Sequence, residues 1–434
     1  MVTTASRLLP ASIARLMASC AALALAACHH SAAPAAAAAG NDAVKTGTYR
    51  VVLQTPGGEL PFGLELARKD STLVGYLING QERLLLRDVK ISGSHLEIGM
   101  PGYLNVLKAD ASGNQLQGEV FLVKPNEKNQ HVPLRATWGE NYRFFEKAAS
   151  SDKAAGEPAD VSGRWAVKFI DDSGTPEVAV GEFSQSHDVV SGTILTSTGD
   201  HRYLAGQVQG DELYLSTFDG AHVFLYRAKI ASDGSLDGDW WSGLAHHEKW
   251  TGKRDAAARL PDAYAVTAMR DGVRQFDFAF PDLSGKIVSS KDPQFRGKVR
   301  IVALAGSWCP NCHDEAAFLA PLYKDYRDQG LEIVSLQFEH FGDFERAAQA
   351  TQRFRQHYGI EYTTLIAGVS DKDEAAKKLP MLKAFVAFPT TVFIDRKGNV
   401  RKIHTGFTGP ATGDHYIQFV NELKTTLEQL LAET

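Results

Sequence analysis

Residues 299–312, VRIVALAGSWCPNC, decide the fold of the C-terminal part of this chain. The run 299–305 is short and mostly apolar, which predicts a buried β-strand. Pro310 suits the first position of a helix, because its missing N–H would have no partner there. Cys309 and Cys312 therefore stand between a strand and a helix. A Cys-x-x-Cys pair in that setting favours thiol-disulfide chemistry, since a bridge across two residues gains little stability from loop closure.

The sequence around this motif alternates between strand and helix patterns from residue 276 onwards, which is typical of an α/β domain. Predicted strands cover residues 299–305, 332–338, 362–366 and 390–394, and predicted helices cover residues 311–327, 344–358, 372–379 and 414–431. We therefore predict one α/β domain over residues 272–434, joined to the preceding part by a connector over residues 256–271.

The spacing of the two cysteines suits disulfide exchange. The thiolate is the nucleophile of that reaction, so the attacking cysteine needs a site that stabilises its anion. Cys309 would lie at the start of a helix, where unpaired N–H groups and the helix dipole favour negative charge. Cys312 would lie one turn inside, placed to resolve the mixed disulfide. This pair predicts catalysis that needs neither a dissociable cofactor nor a metal.

The motif and several stretches around it resemble the TlpA/ResA-like branch of the thioredoxin-fold thiol-disulfide oxidoreductases. The matching stretches are residues 280–286, 297–299, 308–312 and 388–395, followed by the turn at Gly398. The resemblance implies a thioredoxin fold and a cis peptide bond before Pro389. It also implies that the backbone of Phe388 pairs with a protein substrate and that Trp308 flanks the thiols and shapes the docking surface.

One acidic position separates this branch from ordinary thioredoxins. Those proteins place a buried Asp six residues before the first cysteine, where this chain has Ala303. The TlpA/ResA-like branch has a Glu three residues after the second cysteine, matched here by Glu315. The resemblance therefore implies that Glu315 takes the proton of Cys312 as it attacks the mixed disulfide. A solvated acid that complements the helix dipole is the alternative for Glu315.

Other functions remain open at this point. Cys309 to His313 also match Cys-x-x-Cys-His, the attachment motif of c-type haem, although the α/β pattern around the motif is not that of a small helical cytochrome. Zinc would need four ligands, and two cysteines with an adjacent histidine offer poor geometry. The chain could also be a ligand- or partner-binding lipoprotein whose thioredoxin module is structural.

Residues before the connector read as β-structure with turns about every ten residues, the spacing of an antiparallel sandwich or barrel. An internal repeat is visible, because residues 47–51 correspond to residues 163–167, and Trp138 corresponds to Trp250 near the end of each copy. We predict two tandem all-β domains, over residues 44–148 and 157–255.

The N-terminus has the features of an export signal. Residues 1–27 carry Arg7 and Arg15 but no acid, and their apolar run 16–27 is too short to span a bilayer. The run ends at Leu25-Ala26-Ala27-Cys28, which resembles a bacterial lipobox, so we predict a signal peptide over residues 1–27, lipidation of Cys28 and a tether over residues 28–43. We expect the periplasmic face of the cell envelope, with the outer membrane favoured because residue 29 is not Asp.

The net charge of the chain and its expected compartment limit its possible partners. Forty-six Lys and Arg face 51 Asp and Glu, a net charge of −5, which gives no electrostatic signature of nucleic-acid binding. The expected partners are protein disulfides or dithiols and the membrane that holds the lipid. A reductase in an oxidising compartment would also need a membrane thiol-transfer electron donor.

Overall fold

The computed structural model describes residues 44–146, 158–171 and 173–433. The predicted signal peptide, the tether and Cys28 lie outside the described residues. Within these ranges, none of the helices combines the length and hydrophobicity that crossing a bilayer requires.

Nine antiparallel strands form the first β-sheet within residues 44–146. They are β1 (Gly47–Thr55), β2 (Gly58–Lys69), β3 (Thr72–Asn79), β4 (Glu82–Leu86), β5 (Asp88–Ser92), β6 (His95–Gly99), β7 (Val106–Ser112), β8 (Gln115–Leu122) and β9 (Gln130–Trp138). Their order is β4-β3-β2-β1-β9-β8-β7-β6-β5. Successive residues of a strand point to opposite faces, so Tyr49, Val51 and Leu53 of β1 bury their side chains in one core.

Nine further strands form the second β-sheet within residues 158–171 and 173–254. They are β10 (Gly163–Ile170), β11 (Pro176–Ser186), β12 (Val189–Thr196), β13 (Gly199–Asp200), β14 (Leu204–Gln209), β15 (Glu212–Phe218), β16 (Val223–Ile230), β17 (Leu236–Ser242) and β18 (His246–Arg254). Strand β11 pairs with both β10 and β12, so this sheet closes on itself and loses its free edges. The predicted all-β class is confirmed in two barrel-like sheets, of which the first ends at β4 and β5.

The two β-sheets pack against each other. The rings of Phe62 and Phe218 lie 4.8 Å apart between their centroids, and the Ser216 hydroxyl donates to the Pro61 carbonyl at 2.7 Å. Phe218, Val223 and Leu225 of the second β-sheet belong to the core of the first. The two sheets therefore share buried apolar surface.

The internal repeat has a structural basis at the start of each sheet. The Tyr49 hydroxyl donates to the carbonyl of Lys45 at 2.9 Å, and the Trp165 indole donates to the carbonyl of Val161 at 2.9 Å. Each ring thus fixes the chain four residues before it.

The predicted equivalence of Trp138 and Trp250 is wrong. Tyr49 pairs with Trp138 in the register of β1 and β9, whereas its counterpart Trp165 pairs with Arg254 in the register of β10 and β18. Trp250 is fully buried while Trp138 is 37% exposed. The error arose because a matching residue type outweighed strand register, which fixes the face of every side chain.

The connector contains α1 (Ala263–Val266), and the α/β domain follows. Its elements are β19 (Ala279–Pro281), β20 (Ile287–Ser289), β21 (Val299–Ala305), α2 (Pro310–Tyr326), β22 (Leu331–Glu339), α3 (Phe344–Tyr358), β23 (Thr363–Val369), α4 (Lys372–Lys378), β24 (Thr390–Ile394), β25 (Val400–Thr405) and α5 (Asp414–Ala432). The predicted strands and helices are confirmed to within three residues at each end.

Within residues 173–433, five strands of this domain form a sheet in the order β23-β22-β21-β24-β25. Strands β21, β22 and β23 are parallel, and β24 is antiparallel to both of its neighbours, β21 and β25. This is the arrangement of a thioredoxin fold. Strand β21 is buried throughout. Val302 and Leu304 pack on one face in the same core as Cys309 and Cys312, while Ile301 packs on the other face with α2, α3 and α5. The C-terminal end of β21 therefore delivers the chain to the cysteines.

Candidate active site

The turn between β21 and α2 places the two cysteines as their spacing predicts. Cys309 is the N-cap of α2, with φ −95° and ψ 113°, and its sulfur accepts a hydrogen bond from the backbone N–H of Cys312 at 3.2 Å. Pro310 occupies the first helical position. Cys309 and Cys312 are joined in a disulfide with their Cα atoms 5.2 Å apart. The same backbone N–H would stabilise a thiolate on Cys309 after reduction.

The loop before β24 lies beside the disulfide. The peptide bond between Phe388 and Pro389 is cis, as the resemblance implies. The carbonyl oxygen of Phe388 lies 3.6 Å from the sulfur of Cys309. The structure thus brings Phe388 and Pro389, 79 residues along the chain, into contact with the redox pair.

Trp308 forms the side wall of the site. Its indole N–H donates to the Phe338 carbonyl at 2.8 Å. Its ring stacks on His340 at 4.7 Å and meets the edge of Phe388 at 5.7 Å between centroids. Three contacts fix the indole next to Cys309, so Trp308 is a rigid wall rather than a free surface ring.

Glu315 is buried, which excludes the solvated alternative. It is 2% exposed, and its carboxylate accepts a hydrogen bond from the Thr391 hydroxyl at 2.5 Å. Burial raises the pKa of Glu315 to about 7, although the bond from Thr391 opposes the rise. Residues three apart on a helix lie on the same side, so Glu315 follows Cys312 along one face of α2. A carboxyl group with a near-neutral pKa there can both accept and release a proton.

Sequence reasoning missed a second buried acid. Glu339 is 1% exposed and accepts hydrogen bonds from the backbone N–H of Ser307 at 3.0 Å, from its hydroxyl at 2.7 Å and from Thr351 at 3.1 Å. Burial raises the pKa of Glu339. The sequence did contain a signal for this acid. Glu339 ends β22, which runs parallel to β21, and the C-terminal ends of parallel strands meet at one edge of a sheet. Glu339 therefore holds the turn that carries Cys309.

The His313 side chain is buried, and both of its ring nitrogens are hydrogen-bonded within the protein. Its Nε2–H donates to the Ser307 carbonyl at 2.8 Å, and its Nδ1 accepts from the Tyr358 hydroxyl at 2.9 Å. The ring stacks on Tyr103, in the loop between β6 and β7, at 3.9 Å between centroids. Burial lowers the pKa of His313 to about 3, which keeps it neutral. An axial role for haem would require the ring to leave both partners, so this environment favours a structural histidine.

The β-sheets cover the start of α2, which sequence reasoning did not foresee. In the orientation that satisfies both of its polar atoms, the Asn311 amide accepts from the backbone N–H of Asp200 at 2.7 Å and donates to its carbonyl at 3.2 Å. A side chain on Gly199 would collide with this amide. The Asp200 carboxylate accepts from the backbone N–H of Gly409 at 2.6 Å. Cys309 and Cys312 themselves pack in the core of the α/β domain, where Cys309 is 5% exposed and Cys312 1%.

A buried ionic cluster fastens this cover. The Arg202 guanidinium lies 3.0 Å from Asp314 of α2, 3.1 Å from Asp219 and 3.2 Å from Glu82 of the first β-sheet. It also donates to the Pro310 carbonyl at 3.3 Å. One cation therefore joins both β-sheets to the helix that carries the cysteines.

Comparisons with known proteins agree on the C-terminal domain. The AhpC/TSA family matches residues 272–403. The thiol-disulfide oxidoreductase ResA of Halalkalibacterium halodurans is 27% identical over 137 residues, which cover 32% of this chain and 69% of that protein. The ResA of Geobacillus thermodenitrificans is 29% identical over 142 residues, 32% of this chain and 72% of that protein.

Solved structures also resemble the C-terminal part of this chain. A thiol:disulfide interchange protein of the thioredoxin family from Chlorobium tepidum has 21% identity and a TM-score of 0.26, covering 35% of this chain and 99% of that one. A thiol-disulfide oxidoreductase from Bacteroides fragilis has 19% identity and a TM-score of 0.26, covering 34% and 99%. The strand order gives the C-terminal part of this chain a thioredoxin fold, which is similar to the AhpC/TSA family over residues 272–403 and carries the Cys-x-x-Cys disulfide of a thiol-disulfide oxidoreductase.

Proposed function

We propose that this thiol-disulfide oxidoreductase reduces protein disulfides at the periplasmic face of the cell envelope, held there by a lipid on Cys28. The observation that carries the redox part is the Cys309–Cys312 disulfide at the start of α2, with the Phe388 carbonyl 3.6 Å from the Cys309 sulfur. The lipobox-like stretch Leu25 to Cys28 supports the location and the anchor. The outer membrane is the favoured site, because residue 29 is His rather than Asp.

The proposed exchange uses the residues in fixed order. The thiolate of Cys309 attacks a substrate sulfur, forming a mixed disulfide and releasing the other substrate sulfur as a thiolate that takes up a proton. Cys312 then loses its proton to the Glu315 carboxylate and attacks the Cys309 sulfur. The products are the reduced substrate and the Cys309–Cys312 disulfide. Phe388 and Pro389 align the substrate chain, and Trp308 bounds its path.

The proposed direction follows from the compartment. Disulfides form readily outside the cytoplasm, so a dedicated dithiol contributes most there as a reductant. Each turnover leaves the Cys309–Cys312 pair oxidised, and two electrons must return to it. We therefore infer a membrane thiol-transfer partner as the electron donor, which would reduce this disulfide by the same exchange chemistry.

A Cys312→Ala variant tests the function. With the resolving sulfur removed, substrate proteins should stay attached to Cys309 as mixed disulfides and be released by a reductant. The matched control is Cys309→Ser with Cys312→Ala, which should retain none. If the single variant captures nothing although Cys309 reacts with a small disulfide, then protein disulfides are not the substrates. Cys28→Ser tests the anchor, because it should move the protein from the membrane fraction to the soluble one.

One observation favours a second candidate, a binding lipoprotein whose redox domain is structural. Cys309 is only 5% exposed, which limits the access of a large partner to its sulfur. Cys309→Ser separates the two functions. A binding role should survive this substitution, whereas a reductase should lose its activity.

A further inference from the structure

A cavity lies where the two β-sheets meet the α/β domain. Its volume is about 250 Å³, and its wall includes Lys124 from the first β-sheet side, His222 from the second, and Trp308, Pro310 and His340 from the α/β domain. At about 30 Å³ for each water molecule, the cavity holds roughly eight waters. It therefore fits a small molecule or one end of it. Trp308 and Pro310 flank Cys309 in the chain, so the cavity adjoins the turn that carries the redox pair.

Lys124 supplies a positive charge to this cavity that the protein does not neutralise. Within the described ranges its ammonium makes no ion pair and no side-chain hydrogen bond, and its backbone N–H donates to Asn129 at 3.0 Å. Burial lowers the pKa of Lys124, although the charge of Asp219 opposes the fall. Asp219 is itself held by Arg202 at 3.1 Å and by His222 at 3.0 Å. Lys124 is only partly buried, so its ammonium, which has no partner among the described residues, is available for a charge-assisted contact with an anionic ligand.

The remaining polar groups of the wall do not oppose an anion. Burial lowers the pKa of His340 to about 3, so its ring is neutral, and its Nδ1 is bonded to the Ser370 hydroxyl at 2.9 Å. Glu339 also belongs to the wall. Its two carboxyl oxygens accept hydrogen bonds from Ser307 and Thr351, and burial raises its pKa. Three hydrogen bonds therefore hold the Glu339 carboxyl group, and burial disfavours its charged form.

We propose that this cavity is the subsite for a carboxylate carried by the disulfide substrate, with the Lys124 ammonium as its ion-pair partner. The inference rests on the proposed function for the disulfide, but the binding step requires no chemistry at the cysteines. It gives the β-sheets a role, since Lys124 and His222 come from the chain segments that precede the α/β domain. The carboxylate could belong to a small thiol compound or to an acidic segment of a peptide.

Binding is tested on the whole oxidised protein with compounds that cannot exchange. Adipate is the carbon analogue of dithiodiglycolate, and hexane-1,6-diol is that of bis(2-hydroxyethyl) disulfide. Calorimetry should show adipate binding that weakens about tenfold in Lys124→Met, the effect of one charge-assisted contact of about 1.4 kcal/mol. Lys128→Met, an exposed lysine of the same loop, is the control and should bind as the parent does. Equal adipate affinity in the parent and Lys124→Met, equal binding of the diol, or no adipate binding would overturn the proposal.

Reaction rates separate this inference from the proposed function. The reduced protein is mixed with dithiodiglycolate or bis(2-hydroxyethyl) disulfide, and the ratio of the two rates should fall about tenfold in Lys124→Met but not in Lys128→Met. An unchanged ratio argues against the subsite. If neither disulfide reacts, the proposed redox function is wrong, and calorimetry alone decides the carboxylate subsite. Paired cystine peptides with and without an acidic neighbour distinguish a peptide source from a small thiol.

Discussion

Arg202, in the loop between β13 and β14, forms an ion pair at 3.0 Å with Asp314, two residues beyond Cys312 in α2. Both side chains are 11% exposed, and 112 residues separate them in the sequence. Glu82 and Asp219 complete the cluster around the guanidinium. Because this one cation contacts groups on both β-sheets and on α2, the packing of the sheets and the position of α2 depend on the same ionic cluster.

Arg202→Met should destabilise the protein strongly. The substitution leaves three buried carboxylates without their cation, and breaking a buried pair in this way costs about 3 to 5 kcal/mol. Arg346→Gln is the matched control, because Arg346 and Glu127 form an exposed pair, worth about 0 to 1 kcal/mol. Urea unfolding of both variants measures the difference. Similar losses of stability in the two variants would show that the Arg202 cluster does not fasten the β-sheets to α2.

Glu315 should make stability fall as the pH rises. Its pKa is raised from 4.5 to about 7, so the folded state holds a proton that the unfolded state releases above pH 4.5. The proton on Glu315 therefore contributes fully to stability below pH 4.5. That contribution is lost as the pH rises to about 7, which lowers the free energy of unfolding by about 3 kcal/mol. Glu315→Gln should remove that slope. The free energy of unfolding of the oxidised protein, measured from pH 4 to 8, tests it, and parallel curves for parent and variant would contradict it.

Cys309 should react before Cys312 in the reduced protein. Its sulfur accepts the backbone N–H of Cys312 at the start of α2, and it is 5% exposed against 1% for Cys312. Brief treatment with iodoacetamide near neutral pH should therefore label Cys309, as read by mass spectrometry of the peptides. Preferential labelling of Cys312 would reverse the assigned roles of nucleophile and resolving thiol.

Glu339→Gln should loosen the turn that carries Cys309. The carboxylate accepts three hydrogen bonds from Ser307 and Thr351, whereas an amide presents one acceptor oxygen and turns a second donor towards these groups. We expect a loss of about 1 to 3 kcal/mol in stability and slower exchange at Cys309. Glu332→Gln, on the same strand but only partly buried, is the control. An unfolding midpoint for Glu339→Gln that matches this control would show that the bonds do not hold the turn.

Local pattern was sufficient for the α/β domain. The apolar run 299–305 became β21 with the predicted bounds, and residues 344–358 became α3 with the predicted bounds. Pro310, Cys309 and Cys312 took the predicted positions at the helix start. The resemblance added the cis bond before Pro389. These features depend on nearest neighbours or on a short motif, so one stretch of chain specifies them.

The cover over the site depends on contacts that a linear pattern does not contain. Arg202 and Asp314 read separately as ordinary surface charges, and nothing in either neighbourhood indicates the other. The pKa of Glu315, about 7, is likewise an effect of burial, which only packing creates. The failed match of Trp138 with Trp250 has the same origin, because strand register is a relation between distant segments.

Residue patterns were enough to predict the α/β class of the C-terminal part, the all-β class of the preceding part, and the redox pair with its helix start, whereas the thioredoxin fold came from the family resemblance. Periodicity, capping and the two-residue spacing act over a few residues, so they can be read in order. Only the folded structure shows that the second β-sheet contacts the start of α2, that Lys124 and Trp308 line one cavity, and that Glu315 and Glu339 are buried. Those outcomes depend on which surfaces exclude water together, and desolvation acts through space rather than along the chain.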